Sequence, residues 1–293
     1  MTKRVLVLGV SGMLGHETFR VLSAQGDLEV YGAARSAQVL RFFSSEASER
    51  IVIGTDVLDM DGLTRLLSSI RPDVVINCVG LVKQLDSASD PLAALPLNAL
   101  FPHRLARLAK LMQARVVHIS TDCVFRGDRG NYKEDDPPDA VDLYGRSKLL
   151  GELVEGDDVI TLRTSIIGRE LQGRHSLVDW FLHASGSVKG FSQAIFSGLT
   201  THELAKVIAK VVLPRPEING LWHVSSAPID KLSLLQLLNE IYRKGLTINP
   251  DATFKMDRSL DSTRFTEATG YLAPSWRDMI TTMHATDSKE QHD

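Results

Sequence analysis

Two short stretches carry side chains that could do acid–base chemistry on one oxygen. Tyr144-Gly-Arg-Ser-Lys148 places a phenol and an amine four residues apart. On a helix such residues share a face, with roughly 5–6 Å between their Cβ atoms. At that distance an ammonium stabilises a phenolate and pulls a tyrosine below its usual pKa of about 10. Such a tyrosine can pass a proton to or from a substrate oxygen near neutral pH. Upstream lies Ser120-Thr121-Asp122, where a threonine hydroxyl at a strand end could bind the same oxygen. Tyr-x-x-x-Lys alone is common by chance. Its weight here comes from the Ser-Thr pair and an N-terminal glycine loop standing in the right order.

The elements that must position these groups are legible as alternating short β-branched runs and helical patterns, the mark of a parallel sheet wrapped by helices. The runs predict strands over Arg4–Leu8, Glu29–Ala33, Arg50–Ile53, Asp73–Asn77, Arg115–Ser120 and Val159–Arg163. Helices are expected near Met13–Ala24, Met60–Ile70, Leu92–Met112 and Tyr144–Val154. Pro96 and Pro102 should delay or kink the third of these. Pro137-Pro138 would stiffen the loop that leads into Tyr144. Beyond Gly168 the alternation becomes irregular, which predicts a smaller lobe of loops and helices. The polar tail, residues 284–293, is expected to be disordered.

Gly9-Val-Ser-Gly12-Met-Leu-Gly15 follows the first strand and opens the first helix. Gly9 and Gly12 would permit a tight turn and close approach of a pyrophosphate to the helix N-terminus. Gly15 would let the helix pack closely on the sheet. Ser11, Met13 and Leu14 belong to the same cradle. After the second strand, where an acid would bind the 2′-hydroxyl of NAD, stand Arg35 and Ser36, and a guanidinium suits the phosphate of NADP. Asp56 and Val57 after the third strand would flank the adenine. Cys78, Val79 and Gly80 end the fourth strand, and the glycine would let the cofactor cross the sheet edge.

Composition narrows the rest. At 293 residues and 43% apolar, the chain can bury a substantial core. A net charge of −3, with no basic face evident, argues against nucleic acid and anionic membranes as partners. No apolar run approaches the roughly 20 residues that cross a bilayer. The short run after Met1 ends in the glycine loop and not in a cleavage site, so a cytoplasmic protein is expected. Cys78 and Cys123 read as free thiols. The nine histidines show no metal-ligand spacing, and no metal is expected. His118 reads as a core residue, and core packing is the first expectation for Phe191, Phe196 and Trp222.

Taken together, Gly9/Gly12/Gly15, Pro72-Asp-Val-Val-Ile-Asn77, Asn98-Ala-Leu-Phe-Pro102, Ser120-Thr-Asp122, Tyr144-Gly-x-Ser-Lys148 with Gly151-Glu152, and Leu162-Arg-Thr164 resemble the extended short-chain dehydrogenase/reductase superfamily. Ser259-Leu-Asp-Ser262 and Pro274-Ser-Trp276 add a resemblance to the dTDP-4-dehydrorhamnose reductase family. The resemblance implies an α/β, doubly wound, Rossmann-like parallel sheet over residues 1–168. A substrate lobe would span 169–283, with about 191–213 packing back on the first domain. It implies NADPH as cofactor, with NADH weaker, a nucleotide-sugar substrate and a possible homodimer.

By the resemblance Tyr144 is the acid, Lys148 holds the nicotinamide ribose, and Thr121 binds the carbonyl oxygen. Asn98 and Thr164 join the cofactor set. Lys83, Asp122, Cys123, Ser165 and Trp180 join Thr121 and Tyr144 on the substrate. Three segments depart from the family pattern where the sugar nucleotide would lie: Leu81-Val-Lys83-Gln84, Ser165-Ile-Ile-Gly168 and Phe196-Ser-Gly-Leu-Thr200. They leave the reaction type intact and the sugar open. Epimerases and 4,6-dehydratases share the superfamily. Cys123 in place of a second acid after Thr121-Asp122 counts against dehydration, and Arg35 points away from an epimerase. A non-catalytic regulatory chain would not need Thr121, Tyr144 and Lys148 together.

Overall fold

The computed structural model describes residues 2–81 and 89–290. In chain order the first elements are β1 (Lys3–Leu8), α1 (Met13–Ser23), β2 (Leu28–Ala34), α2 (Ser45–Ser48), β3 (Ile51–Ile53), α3 (Met60–Ile70) and β4 (Val74–Asn77). Then follow α4 (Pro91–Ala94), α5 (Phe101–Leu111), β5 (Arg115–Thr121), α6 (Leu143–Leu150) and β6 (Val159–Thr164). The last part holds β7 (Ile166–Ile167), α7 (Leu177–His183), β8 (Ser187–Phe196), β9 (Leu199–Thr200), α8 (Thr201–Val207) and β10 (Gly220–His223). It closes with β11 (Ile229–Asp230), α9 (Lys231–Ile241), β12 (Thr247–Asp257), α10 (Thr263–Thr269) and α11 (Trp276–Glu290).

Seven parallel strands form the main sheet in the order β10-β6-β5-β4-β1-β2-β3. Parallel strands covered on both faces need continuous apolar runs, and Val5 to Leu8 are all fully buried. Successive side chains leave a strand on opposite faces. Val5 and Val7 therefore join a core with Phe19, Leu22 and Leu204, while Leu6 and Leu8 join another with Leu63, Phe101 and Leu105. The strand order reverses beside β1, between β2 and β4, and in open α/β sheets that reversal marks the ligand crevice at the strands' C-terminal ends.

Pro96 and Pro102 act as the sequence requires, though by widening the helix and not by delaying it. Residues Leu95–Leu100 form a π-helical turn between α4 and α5. Pro102 has no N–H to give the Asn98 carbonyl, and the glycine at 151 packs against that carbonyl so closely that a Cβ there would overlap it.

The C-terminal half differs most from the sequence reading. The chain does not stay in a separate lobe after residue 168, because Gly220–His223 returns to pair with β6. A three-stranded sheet, β11-β8-β12, stands apart from the main sheet. Neither long strand alternates: β8 is interrupted by Gly190, and β12 is mostly exposed and carries Pro250. Of the segment 191–213, residues 191–196 run in β8, while α8 packs on α1, where His202 Nδ1 lies 2.5 Å from Glu17 Oε1. Residues 284–290, expected to be disordered, continue α11. His284 stacks edge-on to Tyr242, and Asp287 accepts a 2.6 Å bond from the Tyr242 hydroxyl.

Candidate active site

The glycine loop meets the end of β4 at the strand-order reversal. Gly9 has φ +85°, and a Cβ there would lie 2.9 Å from Val79 Cγ2. At Gly15 a Cβ would overlap the Gly9 carbonyl oxygen, so this glycine lets α1 close on the loop. Gly12 is different. Its φ of −86° suits any residue, and a Cβ would sit 3.4 Å from Gly9 O, an ordinary contact. Among the described residues nothing requires glycine there. No side chain caps α1, so its first N–H groups keep their capacity for an anion. Ser11 is exposed in this turn, Met13 is half-buried, and the Leu14 side chain is in the core, which leaves only its backbone for a cofactor.

Arg35 and Ser36 follow β2 and are exposed. The Ser36 hydroxyl caps the next turn by accepting from Gln38 N at 3.2 Å. Asp56 Oδ1 accepts from Leu58 N at 3.0 Å, while Val57 is a core residue. At Gly80 a Cβ would lie 3.3 Å from Asn98 Oδ1 and 3.8 Å from Lys148 Nζ, so the crossover glycine, Asn98 and the lysine converge. Asn98 Oδ1 accepts from Leu81 N at 2.9 Å, and Nδ2 donates to Ser147 Oγ at 3.1 Å. It ties the crossover loop to α6. Cys78 is a half-buried free thiol, pushed up to about 12 by desolvation. Lys83 lies outside the described residues.

The catalytic candidates gather at the ends of β5 and α6. Asp142 caps α6 by accepting from Gly145 N at 2.8 Å, which fixes Tyr144 on its first turn. Thr121 ends β5 in register with Thr164 of β6. The Thr121 hydroxyl accepts from Cys123 N at 3.1 Å and donates to Asp122 Oδ1 at 3.1 Å. The Thr121 side chain also lies close enough to Tyr144 to pull the phenol down.

The electrostatics differ from the expectation that Lys148 lowers Tyr144. Burial pushes the phenol well up; the nearby Cys123, Asp122 and Asp142 raise it further, and only the Thr121 bond pulls it back. Burial brings Lys148 down to about 8, against the opposing pull of Glu152 and Cys78. Its Nζ donates to the Ile119 carbonyl at 2.7 Å. The phenol is thus held protonated, the form that a proton donor needs. Asp122 is raised by burial, with Arg258 and bonds from Cys123 and Thr121 acting the other way.

Among the remaining predicted residues, Ser165 takes part through its backbone, accepting from Leu199 N at 2.9 Å. Thr164 Oγ1 donates to the Ser165 carbonyl at 3.2 Å. Trp180 is exposed on α7 with Phe181 as its ring neighbour, and no contact among the described residues joins it to the hydroxyl pair. Phe196 and Trp222 pack in the core, and the fully buried His118 has Asn77 at 3.1 Å.

Sequence reasoning named Glu152 and Arg163 within family motifs but missed that they pair beneath the site. Glu152 Oε1 accepts from Ser120 Oγ at 2.6 Å and from Arg163 Nε at 2.7 Å, and Oε2 accepts from Arg163 Nη2 at 2.7 Å. This pair is almost fully buried and fastens the end of α6 to β5 and β6. An arginine inside Val-Ile-Thr-Leu-Arg-Thr was the available signal, because a charge in a covered strand requires a buried partner. Arg258 was missed too; it follows β12 and gave no local pattern.

The family model described as the RmlD substrate binding domain matches residues 3–287. The chain belongs to this family. A dTDP-4-dehydrorhamnose reductase of Mycolicibacterium smegmatis is 31% identical over 237 residues, covering 78% of this chain and 66% of that protein. A probable low-salt glycan biosynthesis reductase of Haloferax volcanii is 30% identical over 230 residues, covering 75% and 73%. The match therefore spans about two thirds of the length of the first relative. A dTDP-4-dehydrorhamnose reductase of Bacillus anthracis, solved in complex with NADP, has a TM-score of 0.79 over 98% of this chain and 100% of that one, at 21% identity. The seven-stranded sheet is thus the fold of the RmlD-type structures. Among the described residues, no helix is long and apolar enough to cross a membrane.

Proposed function

We propose that this RmlD-family chain is an NADPH-dependent reductase of a nucleotide-activated 4-keto-6-deoxysugar, serving polysaccharide or deoxysugar synthesis. The observation that carries the reading is the nearness of the Thr121 side chain to Tyr144, with Lys148 close to the crossover Gly80. A carbonyl oxygen taking the place between the two hydroxyls would receive the Tyr144 proton as its carbon is reduced. Burial keeps that proton on the phenol until the substrate arrives.

A bound reduced nicotinamide would supply the hydride. The residues present fit it: the uncapped start of α1 suits the pyrophosphate, Gly12 leaves room for it, and Arg35 suits a 2′-phosphate. Lys148, whose ammonium now rests on the Ile119 carbonyl, would hold the ribose and replace the Tyr144 proton electrostatically as it leaves. Half-buried Cys123, together with Ser165, Thr121 and Asp122, would face the sugar. Cys123 follows Thr121-Asp122 where a dehydratase would need a second carboxylic acid, so loss of water is disfavoured.

Incubating the protein with NADPH and a panel of nucleotide-linked 4-keto sugars, and following cofactor absorbance, tests the reading. A reductase consumes NADPH in step with the sugar. Conversion of the sugar with no net NADPH loss would instead identify an epimerase or dehydratase. NADPH binding without turnover on any of the sugars would favour a regulatory chain.

A further inference from the structure

Arg258 connects the small sheet to the catalytic turn. It directly follows β12, and its backbone N–H donates to Ile195 O of β8 at 3.0 Å, so it belongs to that sheet. Its side chain is buried against the opposite unit. Nε donates to the Phe125 carbonyl at 2.9 Å, and Nη1 donates to Cys123 Sγ at 3.3 Å. Cys123 in turn bonds the Asp122 carboxyl and, through its N–H, the Thr121 hydroxyl. Thr121 donates to Asp122 and meets Tyr144. A line of hydrogen bonds therefore runs from the small sheet to the Thr121 hydroxyl, which neighbours Tyr144. The neighbouring backbone supports it, because Asp257 N donates to Gly127 O at 2.7 Å and Tyr132 N donates to Ser259 O at 2.9 Å.

We propose that Arg258 is a positioning residue that aligns the Thr121–Tyr144 hydroxyl pair by fixing the Asp122–Phe125 turn from the small sheet. The role rests on the reductase reading for its effect on turnover, and on geometry alone for its effect on the turn. A guanidinium fits because one planar group reaches a carbonyl and a thiol at once; an ammonium presents a single point. Among the charges of the described residues that act on Asp122, Arg258 ranks ahead of Lys231 of α9.

Two measurements test it. Hydrogen exchange needs no substrate. In Arg258→Ala the amides of residues 122–125 should exchange at least about tenfold faster, while those of α6 stay as in the wild type. Unchanged protection at 122–125 overturns the proposal whatever the substrate proves to be. With a sugar that the wild type reduces, kcat of Arg258→Ala should fall about ten- to a hundredfold, the loss expected for charge-assisted bonds. The KM for NADPH should stay within about twofold, because the cofactor cradle is built by other strands. Added guanidinium should restore part of the rate to Arg258→Ala, and Arg258→Lys should fall between the two. Full kcat in Arg258→Ala, or a loss shared equally with NADPH affinity and not rescued, overturns the proposal. A wild type that oxidises no NADPH would count against the reductase reading and leave the exchange result to decide this one.

Discussion

Replacing Gly12 by alanine separates a glycine kept for a ligand from one kept for the fold. In the protein alone the new methyl meets only Gly9 O, at 3.4 Å, and the backbone φ of −86° is one that alanine adopts freely. The remaining penalty is alanine's poorer fit at a helix N-cap, about 1 kcal/mol or less. Toward the open crevice the balance reverses. A pyrophosphate oxygen must come within about 3 Å of the helix N–H groups, and a methyl held at its contact distance of roughly 3.5–4 Å pushes it out of reach. Losing one charge-assisted bond of about 1.5–3 kcal/mol lowers NADPH affinity by roughly ten- to a hundredfold. Gly15→Ala should behave in the opposite way. Its methyl would overlap the Gly9 carbonyl, so the loop or α1 must move, at about 1–3 kcal/mol of stability. Urea unfolding and NADPH fluorescence titration, run on both variants, read the two effects. Wild-type NADPH affinity in a folded Gly12→Ala protein would refute the cofactor placement.

Arg35→Ala should weaken NADPH roughly ten- to a hundredfold and leave NADH little changed, with the preference shrinking at high salt; equal Michaelis constants in the wild type would sink this assignment. Arg163→Met strands the almost fully buried Glu152 carboxylate, which keeps its bond from Ser120 and the attraction of Lys148, and should destabilise the chain by about 3–5 kcal/mol in urea unfolding. A loss under about 1 kcal/mol would show that the buried pair does not hold α6 to the sheet. Pairing it with Glu152→Met should recover much of that loss, since both charges then leave the interior together.

The six strands of the first half and the glycine loop were legible because buried parallel strands and phosphate turns depend on local residue types. Arg115–Ser120 was predicted, and Arg115–Thr121 is observed. The positions of Thr121 at the end of one strand and of Tyr144 and Lys148 on one helix were legible for the same reason. What escaped depends on distant chain. Gly220–His223 is too short to announce its place beside β6, and β12 lies largely exposed, with no buried face to impose alternation. The acid–base character of the site was also misread. Spacing alone suggested a lysine acting on a tyrosine, whereas burial dominates both groups and the lysine points to the Ile119 carbonyl. Arg258 stands far along the chain from Cys123, and only the folded small sheet brings them together.

The central claim is that this site moves a hydride to a sugar carbon while Tyr144 delivers the proton. NADPH deuterated at the transferring position, mixed with a nucleotide-linked 4-keto-6-deoxysugar and followed by mass spectrometry of the product, tests it directly. The wild type should place one deuterium on carbon for each NADPH oxidised, and Tyr144→Phe should do so about 10²–10⁴-fold more slowly at unchanged NADPH affinity. A product without carbon-bound deuterium, or a Tyr144→Phe enzyme working at the wild-type rate, would contradict the account.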